Sequence, residues 1–408
     1  MKGMRLFERM NDINDRFIEE ADRVIFRRNR RLFRYRMIPA AIGVAVILIG
    51  AIYQITTTMQ DEEKKTFEPY VELPILSIDF ISEGMGFEGF WVHHAEELAI
   101  ENPWDPGMKI SSLPVFKNPA HLEGGEKLPE MKKRAMINRA KEVAAALGIK
   151  NPEVQAEPSE DDLKSMEEKY ESVGEEMPKE LYEIQSVFIK QGGVIIRTDR
   201  DLQTSVLFDP EIDLPKEYNY QVDASFDEVR EIADYLAEKY KEILQMRKPT
   251  VAMEGGDYDI NGAQRYDFRI YEREGSQKQQ IVNFQLDYAK FGYDEEGKLF
   301  LIRLCRKDLS EKVGDYPIIS VEEAKERLGN RQYLTSVPEV FPGMDYVKQV
   351  ELVYRSGSES YWIPYYRFLV EIPSLKQENG LDTYGAYYVP AIEEQYIENM
   401  PARRDSFR

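Results

Sequence analysis

A stretch without formal charge lies near the start of the chain and follows directly on a cluster of arginines. Residues 37–59 are apolar from Met37 to Tyr53 and continue uncharged to Met59. A helix of this length reaches roughly 34 Å, because each residue adds about 1.5 Å, and this is enough to cross the hydrocarbon core of a bilayer. The sequence therefore predicts one transmembrane helix over residues 37–59.

The charges on either side of this segment predict its orientation. Residues 1–36 contain eleven Lys and Arg against six Asp and Glu, although the whole chain has a net charge of −20. The positive-inside rule then places residues 1–36 in the cytoplasm and residues 60–408 outside the cell membrane. A buried helix of a soluble domain is rarely apolar on every side, and a signal peptide needs small residues at a cleavage site, which IYQITTTMQ does not offer.

The cytoplasmic segment has the spacing of an amphipathic helix. Phe7, Met10, Ile13 and Phe17 recur every three or four residues and therefore share one face. Such a face needs a cover, which is either the inner leaflet of the bilayer or a groove on a cytoplasmic partner. Both alternatives stay open on the pattern alone.

The segment INDRFIEEA at residues 13–21, with the arginines and the single span behind it, resembles the N-terminus of membrane-anchored anti-sigma-type proteins of Gram-positive bacteria. The resemblance covers about the first 55 residues. It implies that a sigma factor is the cytoplasmic partner.

Beyond the span, the pattern predicts an α+β fold made of antiparallel sheets with packed helices, because helices fall between runs of strands. We expect a stalk over 60–70, a first extracytoplasmic domain over 71–248, a second over 249–400 and a tail over 401–408. Residues 151–180 are strongly acidic and predict a solvated linker or a surface helix. Helices are predicted over 131–149, 226–244 and 320–329, and strands over 73–81, 186–209, 264–272, 280–291, 298–306, 347–356, 361–372 and 383–392.

The last part of the chain, about residues 315–392, resembles PepSY-like units. Ile319, Ser320, Glu323 and Ala324 match the start of the helix that packs on a small antiparallel sheet in those units. The order of elements is similar in particular to the YycH/YycI family, single-span regulators of a sensor kinase for cell-wall homeostasis. GGDYDI and YGAYYVP also resemble phrases of uncharacterised clostridial membrane proteins. The resemblance implies a sensor-kinase complex as an alternative partner.

One short motif has the composition of a calcium site. Asp257, Asp259 and Asn261 alternate before Gly262, as in the opening of a calcium-binding loop, where oxygen ligands wrap a hard cation. The twelfth position is Phe268 where such a loop carries glutamate. An acidic turn is the favoured interpretation, and calcium is the only cofactor that the sequence suggests.

A strand near the C-terminus offers a candidate binding face. Tyr361, Tyr365 and Arg367 alternate with Trp362 and its neighbours, which are apolar and predicted to be core. The three residues predict either an outer aromatic face for glycan or peptide, or a second packed interface. Packing is favoured, because aromatic residues in strands usually lie in the core.

Other candidates are excluded or weak. The G-x-G-x-x-G at residues 84–89 is interpreted as a turn, because FWVHH follows where a dinucleotide site needs a helix. Strong acidity argues against sequence-independent nucleic-acid binding. We therefore expect a non-enzymatic membrane regulator that binds an envelope component or a partner ectodomain. An envelope assembly or chaperone-like adaptor and a cell-wall hydrolase are the alternatives.

Overall fold

The structure is a computed structural model, and it describes residues 72–79, 87–119, 121, 129–221, 223–355 and 359–402. From Pro74 onward these residues belong to one compact unit. The predicted cytoplasmic helix with Phe7, Met10, Ile13 and Phe17, the predicted span over 37–59 and the stalk over 60–70 lie outside the described residues. Within the ranges given, no helix has both the length and the apolar character needed to cross a bilayer.

The described residues form a mixed α+β structure, as predicted. The strands are β1 (Gly89–Val92), β2 (Ala99–Ile100), β3 (Ser112–Lys117), β4 (Gln155–Glu157), β5 (Ser186–Gln191), β6 (Val194–Asp199), β7 (Thr204–Ile212), β8 (Pro249–Tyr258), β9 (Gln264–Glu272), β10 (Asp287–Tyr293), β11 (Leu299–Arg306), β12 (Lys312–Pro317), β13 (Leu334–Thr335), β14 (Val347–Tyr354), β15 (Tyr361–Trp362), β16 (Pro364–Glu371) and β17 (Asp382–Pro390). The α-helices are α1 (Glu130–Ala146), α2 (Glu160–Ser172), α3 (Phe226–Lys239), α4 (Lys241–Leu244), α5 (Gln277–Leu286) and α6 (Val321–Gly329).

The largest sheet, called the large sheet below, has the strand order β2-β8-β9-β10-β11-β7-β6-β5-β4. All its neighbouring strands are antiparallel. Helix α1 contacts β5 and β6, and α3 contacts β8 and β9. Met136 of α1 and Val229 and Leu236 of α3 are fully buried in the core that these elements share with the sheet.

A second sheet, the C-terminal sheet, has the order β1-β17-β16-β14, with β13 also pairing β17. Helix α6 packs on β17, while α5 contacts β9, β10 and β14. Helix α5 therefore lies between the large sheet and the C-terminal sheet. A small third sheet joins β12, β3 and β15.

The sheets combine strands from both sides of the predicted domain boundary at residues 248 and 249. β7 pairs with β11 in the large sheet, and β1 pairs with β17 in the C-terminal sheet. Near the start of the described chain, the N–H of Leu76 donates to the carbonyl of Tyr396 at 2.8 Å. The boundary therefore does not separate two independent sheets.

Periodic segments fold as their patterns predict. Helix α3 begins at a complete capping box, in which the Ser225 hydroxyl accepts from the N–H of Glu228 and the Glu228 carboxylate accepts from the N–H of Ser225. Helix α1 ends before Gly148, which has a φ of +75°. Helix α2 occupies the acidic segment, with no buried residue, and so the surface-helix alternative is the correct one there.

The prediction of a strand over residues 280–291 was wrong in its first half. Residues Gln277–Leu286 form helix α5, and only Asp287–Tyr293 form a strand. The Ser276 hydroxyl caps the helix by accepting from the N–H of Gln279 at 3.3 Å. Ile281, Val282, Asn283 and Phe284 are consecutive and all buried, so the sequence shows no amphipathic period. Helix α5 is covered by two sheets, and this hides its helical signature.

Candidate functional site

A cavity of about 620 Å³ lies where the large sheet, helix α5 and the C-terminal sheet meet. Its wall contains segments of β1, β2, β8, β9, β14, β16 and β17. Six carboxyl groups line it, those of Glu88, Glu101, Glu254, Asp267, Glu351 and Glu359, together with the guanidinium groups of Arg269, Arg355 and Arg367. Glu351 and Glu359 are the most buried of these carboxyl groups, with side chains that are 5% and 8% exposed. Charged groups are rarely buried to this degree unless they are paired.

One group of charges belongs to the C-terminal sheet. Arg367 of β16 stands opposite Glu351 of β14, and its Nε donates to Glu351 Oε2 at 2.7 Å. Its Nη1 also donates to Glu88 Oε1 at 3.3 Å, and the hydroxyl of Tyr388 donates to the same oxygen at 2.6 Å. Burial alone would lower the pKa of Arg367, but the nearby carboxylate of Glu351 raises that pKa above its ordinary value.

A second ion pair lies beside this group. Arg355 Nη2 lies 3.2 Å from Glu359 Oε1, and both side chains are mostly buried. The Arg355 guanidinium lies 5.8 Å from the ring centroid of Tyr365 and 5.4 Å from that of Tyr388. The cation is thus held against two aromatic rings and a carboxylate. Burial raises the pKa of Tyr388, so that its hydroxyl remains a hydrogen-bond donor.

The large sheet supplies a third cluster of charges. Arg269 Nε donates to the Glu254 carboxylate, and Lys290 Nζ bridges Glu254 Oε2 at 2.7 Å and Asp267 Oδ2 at 2.8 Å. Burial would raise the pKa of Glu254, but the charges of Arg269 and Lys290 lower it below the ordinary value. Glu254 is therefore ionised at neutral pH.

Apolar side chains form much of the remaining wall. Phe90, Leu98, Ile100, Phe284, Leu334 and Val353 line it between the charged groups. A wall that combines apolar side chains with a few fixed polar groups is typical of small-molecule sites.

Two carboxylate oxygens of the wall have no hydrogen-bond partner among the residues that the structure describes. They are Glu351 Oε1 and Glu359 Oε2, on side chains that are 5% and 8% exposed. Both atoms are also closed off from solvent. A buried charged oxygen without a donor is unfavourable, and natural structures usually satisfy it with an ordered water or a ligand.

The predicted outer aromatic face is distributed over two places. Arg367 lines the cavity and Tyr365 is only 2% exposed beneath Arg355. Tyr361 lies apart from them in β15 of the small sheet, opposite Lys117. Strand β16 is buried on both faces, since Phe368 and Leu369 are both fully buried. The strand therefore has the second packed interface that the pattern favoured, with the cavity at its edge.

The predicted calcium loop forms the turn between β8 and β9. Asp259 Oδ1 accepts from the N–H groups of Asn261 at 2.8 Å and Ala263 at 3.0 Å, while its Oδ2 accepts from Arg265 Nε at 3.1 Å. The hydrogen bond from Arg265 lowers the pKa of Asp259 to about 2. Asp257 lies on β8 opposite Arg265, and its pKa is raised by burial.

Arg265 thus provides the positive charge that a cation would bring to Asp259. No group of three or more His, Cys, Asp or Glu side chains that could hold a metal occurs in the part of the chain that the structure describes. These contacts agree with the acidic turn that the sequence pattern favoured, and calcium binding by Asp257, Asp259 and Asn261 stays the untested alternative.

One Ser–His contact also needs assignment, because such pairs can support nucleophilic catalysis. Ser360 Oγ lies 3.0 Å from His121 Nε2, and the N–H of Ser360 donates to Asp79 Oδ2 at 2.5 Å. The carbonyl of Ser360 accepts from the N–H of Asn118 at 2.8 Å. These hydrogen bonds join the ends of β3 and β15. The contact between Ser360 and His121 is therefore interpreted as structural.

Of the cavity residues, sequence reasoning identified Arg367, and it also identified Tyr365, whose ring lies beside Arg355. It missed most of the cavity. Glu88 lies in the segment that was interpreted as a glycine-rich turn, and Glu351 is a charged residue among apolar ones in β14. A charged residue at a strand position that should be buried is a signal in the sequence for a buried polar site. It identifies single residues and does not show which of them meet.

Comparison with known proteins gives little further guidance. No protein-family model matches the chain, and no curated protein matches it. Among solved structures, an uncharacterized protein from Eubacterium rectale ATCC 33656 is similar over 73% of this chain and 86% of its own, with 10% sequence identity and a TM-score of 0.31. The geometry of the cavity therefore carries the functional argument.

Proposed function

We propose that this chain is a single-pass membrane regulator whose outer region, including residues 72–402, binds a small ligand in the cavity. The cavity carries this proposal. Its volume of about 620 Å³ falls within the range of about 300–1,000 Å³ that is usual for ligand sites. Its wall combines buried ion pairs with apolar side chains. The charged groups can orient a bound ligand, and the apolar side chains can contact its apolar part.

The position of the cavity suits a sensor. Its wall takes Glu254 and Arg269 from the large sheet and Glu351 and Arg367 from the C-terminal sheet. A ligand that touches both sheets stabilises the arrangement in which they close around it. A regulator signals the presence of its ligand to a partner only if the ligand binds two arrangements of the protein with different affinities. The partner in this proposal is a sigma factor or a sensor-kinase complex.

The cell-wall hydrolase alternative also needs converging carboxyl groups, and the cavity brings six together. A glycosidase needs one of them as a general acid with a raised pKa. The pKa of Glu254 is lowered instead, and Glu351 and Glu359 are each paired with an arginine. These pairings favour ligand binding over acid catalysis.

The role of the cavity is tested in cells that express the full chain with a larger side chain in the cavity wall. Ile100→Trp and Val353→Trp place a large ring at the cavity wall, and Ala145→Trp adds the same ring on the exposed side of α1. Both cavity variants are expected to reproduce the transcript changes of a strain that lacks the protein, while Ala145→Trp behaves as wild type. Protein levels are measured in parallel. Wild-type transcripts in both cavity variants, at normal protein levels, would refute the role of the cavity.

The topology test uses single cysteines. Cys305 is 2% exposed, and its replacement by Ser leaves a chain without cysteine. Glu231→Cys on the exposed side of α3 is expected to react with a membrane-impermeant maleimide in intact cells. Lys2→Cys is expected to react only after lysis. The reverse labelling pattern would refute the predicted orientation.

A further inference from the structure

Glu351 and Glu359 line the same cavity and share one unusual feature. Each gives one oxygen to an arginine, Glu351 Oε2 to Arg367 and Glu359 Oε1 to Arg355. The other oxygen of each has no hydrogen-bond partner within the described ranges. A carboxylate can only accept hydrogen bonds, so whatever satisfies these oxygens must be a donor.

The charges that line the cavity favour a cation over an anion, because six carboxyl groups stand against three guanidinium groups. Arg269, Arg355 and Arg367 are each already paired with a carboxylate. An anionic ligand would therefore be repelled by the carboxyl groups that outnumber these arginines in the wall. The cavity wall is therefore suited to a positively charged ligand.

We infer that the cavity binds a small organic cation, an ammonium or guanidinium group on an apolar stem, whose charged end is held by Glu351 and Glu359. This inference rests on the proposed function and names the chemical class of its ligand. Both unpartnered oxygens are closed off from solvent in this structure, so the carboxyl group has to turn before a donor in the cavity can reach them. The terminal torsion of a glutamate is soft and permits this turn. The stem then lies against the apolar wall formed by Phe90, Ile100 and Val353.

The test is calorimetric titration of the purified full chain in detergent with probes of matched length. 1,5-Diaminopentane supplies the cation, glutarate supplies the opposite charge, and 1,5-pentanediol is neutral. Binding of the diamine without binding of glutarate or the diol is expected. No binding of the diamine and of Gly-Lys-Gly, or equal binding of glutarate, would overturn the inference.

Variants connect binding to the two glutamates. Glu351→Gln and Glu359→Gln are each expected to weaken diamine binding about ten-fold or more, the usual consequence of losing one charge-assisted hydrogen bond. Glu231→Gln on the exposed side of α3 is the matched control and should not change affinity. Unchanged affinity in a folded Glu359→Gln protein would refute the assignment. The comparison among the three probes on wild-type protein does not depend on whether a variant folds.

Titration with tripeptides tells whether the cation is a peptide side chain or a free amine. If Gly-Lys-Gly binds more tightly than the diamine, and Gly-Glu-Gly does not bind, the cation belongs to a peptide side chain. If the diamine binds more tightly, the ligand is a free amine. Failure of all cations, combined with loss of regulation in Ile100→Trp, would overturn the ligand class and leave the proposed function standing.

Discussion

Glu351 and Arg367 face each other on neighbouring antiparallel strands, and the guanidinium Nε donates to the carboxylate Oε2 at 2.7 Å. The Glu351 side chain is 5% exposed and that of Arg367 is 23% exposed. Arg367 also reaches Glu88 of the β1 segment at 3.3 Å. One arginine therefore links β14, β16 and the residue that precedes β1 at the cavity wall.

Removal of this arginine should destabilise the fold strongly. Arg367→Met leaves Glu351 buried without its cation, and breaking a buried pair in this way costs about 3–5 kcal/mol. The free energy of unfolding of the full chain in detergent is measured by urea titration, followed through fluorescence of the tryptophans. Trp362 is fully buried in the core that includes β14 and β16 and reports on it.

The control lies on the same two strands. Lys348 Nζ lies 3.0 Å from Glu371 Oε2, with side chains that are 35% and 23% exposed. Because solvent screens this pair, Lys348→Met should cost less than about 1 kcal/mol. Equal losses in Arg367→Met and Lys348→Met would contradict the assigned role of the buried pair.

The turn between β8 and β9 should show a specific acid dependence. The pKa of Asp259 is lowered to about 2, first of all by its hydrogen bond from Arg265, while an unfolded aspartate titrates near 3.9. The stabilisation from the ionised carboxylate is therefore complete above about pH 4 and is lost as the pH falls towards 2. Asp259→Asn should have a lower unfolding temperature than wild type at pH 7, and the difference should shrink across this interval.

Asp234→Asn is the control for this pH series, because Asp234 is exposed on α3. Its unfolding temperature should follow that of wild type at every pH. If the difference between wild type and Asp259→Asn stays constant from pH 4 to pH 2, the Asp259–Arg265 contact does not stabilise the turn through its charge.

Calcium should not change the stability of the wild-type protein. Asp259 already uses one oxygen for the amides of Asn261 and Ala263 and the other for Arg265. A calcium ion would have to displace the guanidinium group, and no other acidic group of the described chain completes a three-residue site there. The check is the unfolding temperature with and without added calcium. A calcium-dependent rise that Asp259→Asn abolishes would establish the site that the motif suggested.

Local patterns predicted the elements whose two sides face different surroundings. Helix α3 buries Val229, Ile232 and Leu236 and exposes the residues between them, so the sequence carries a helical period. The strands β5 to β7 and β14 to β17 were likewise predicted from alternation and turn residues. Helix α5 was missed because the consecutive residues 281–284 in its middle are all buried, so that part has no polar face to set the period.

The cavity could not be predicted for a different reason. Its members meet through strand pairing between distant parts of the chain, as in the contact of Arg367 with Glu88, 279 residues apart. β1 pairs with β17 in a register that neither strand specifies alone. Sequence pattern identifies which residues are suited to a buried or exposed position. It does not tell which strands are neighbours, and the site depends on that information.

The cap of helix α5 gives a test of the element that the pattern missed. The Ser276 hydroxyl accepts from the N–H of Gln279, and loss of such a cap costs about 1 kcal/mol. Ser276→Ala should lower the free energy of unfolding by about this amount and should speed amide hydrogen exchange in the first turn of α5. Ser310→Ala, at an exposed position, serves as the control and should change neither quantity. Unchanged exchange at Gln279 in Ser276→Ala would mean that the Ser276 hydroxyl does not cap helix α5.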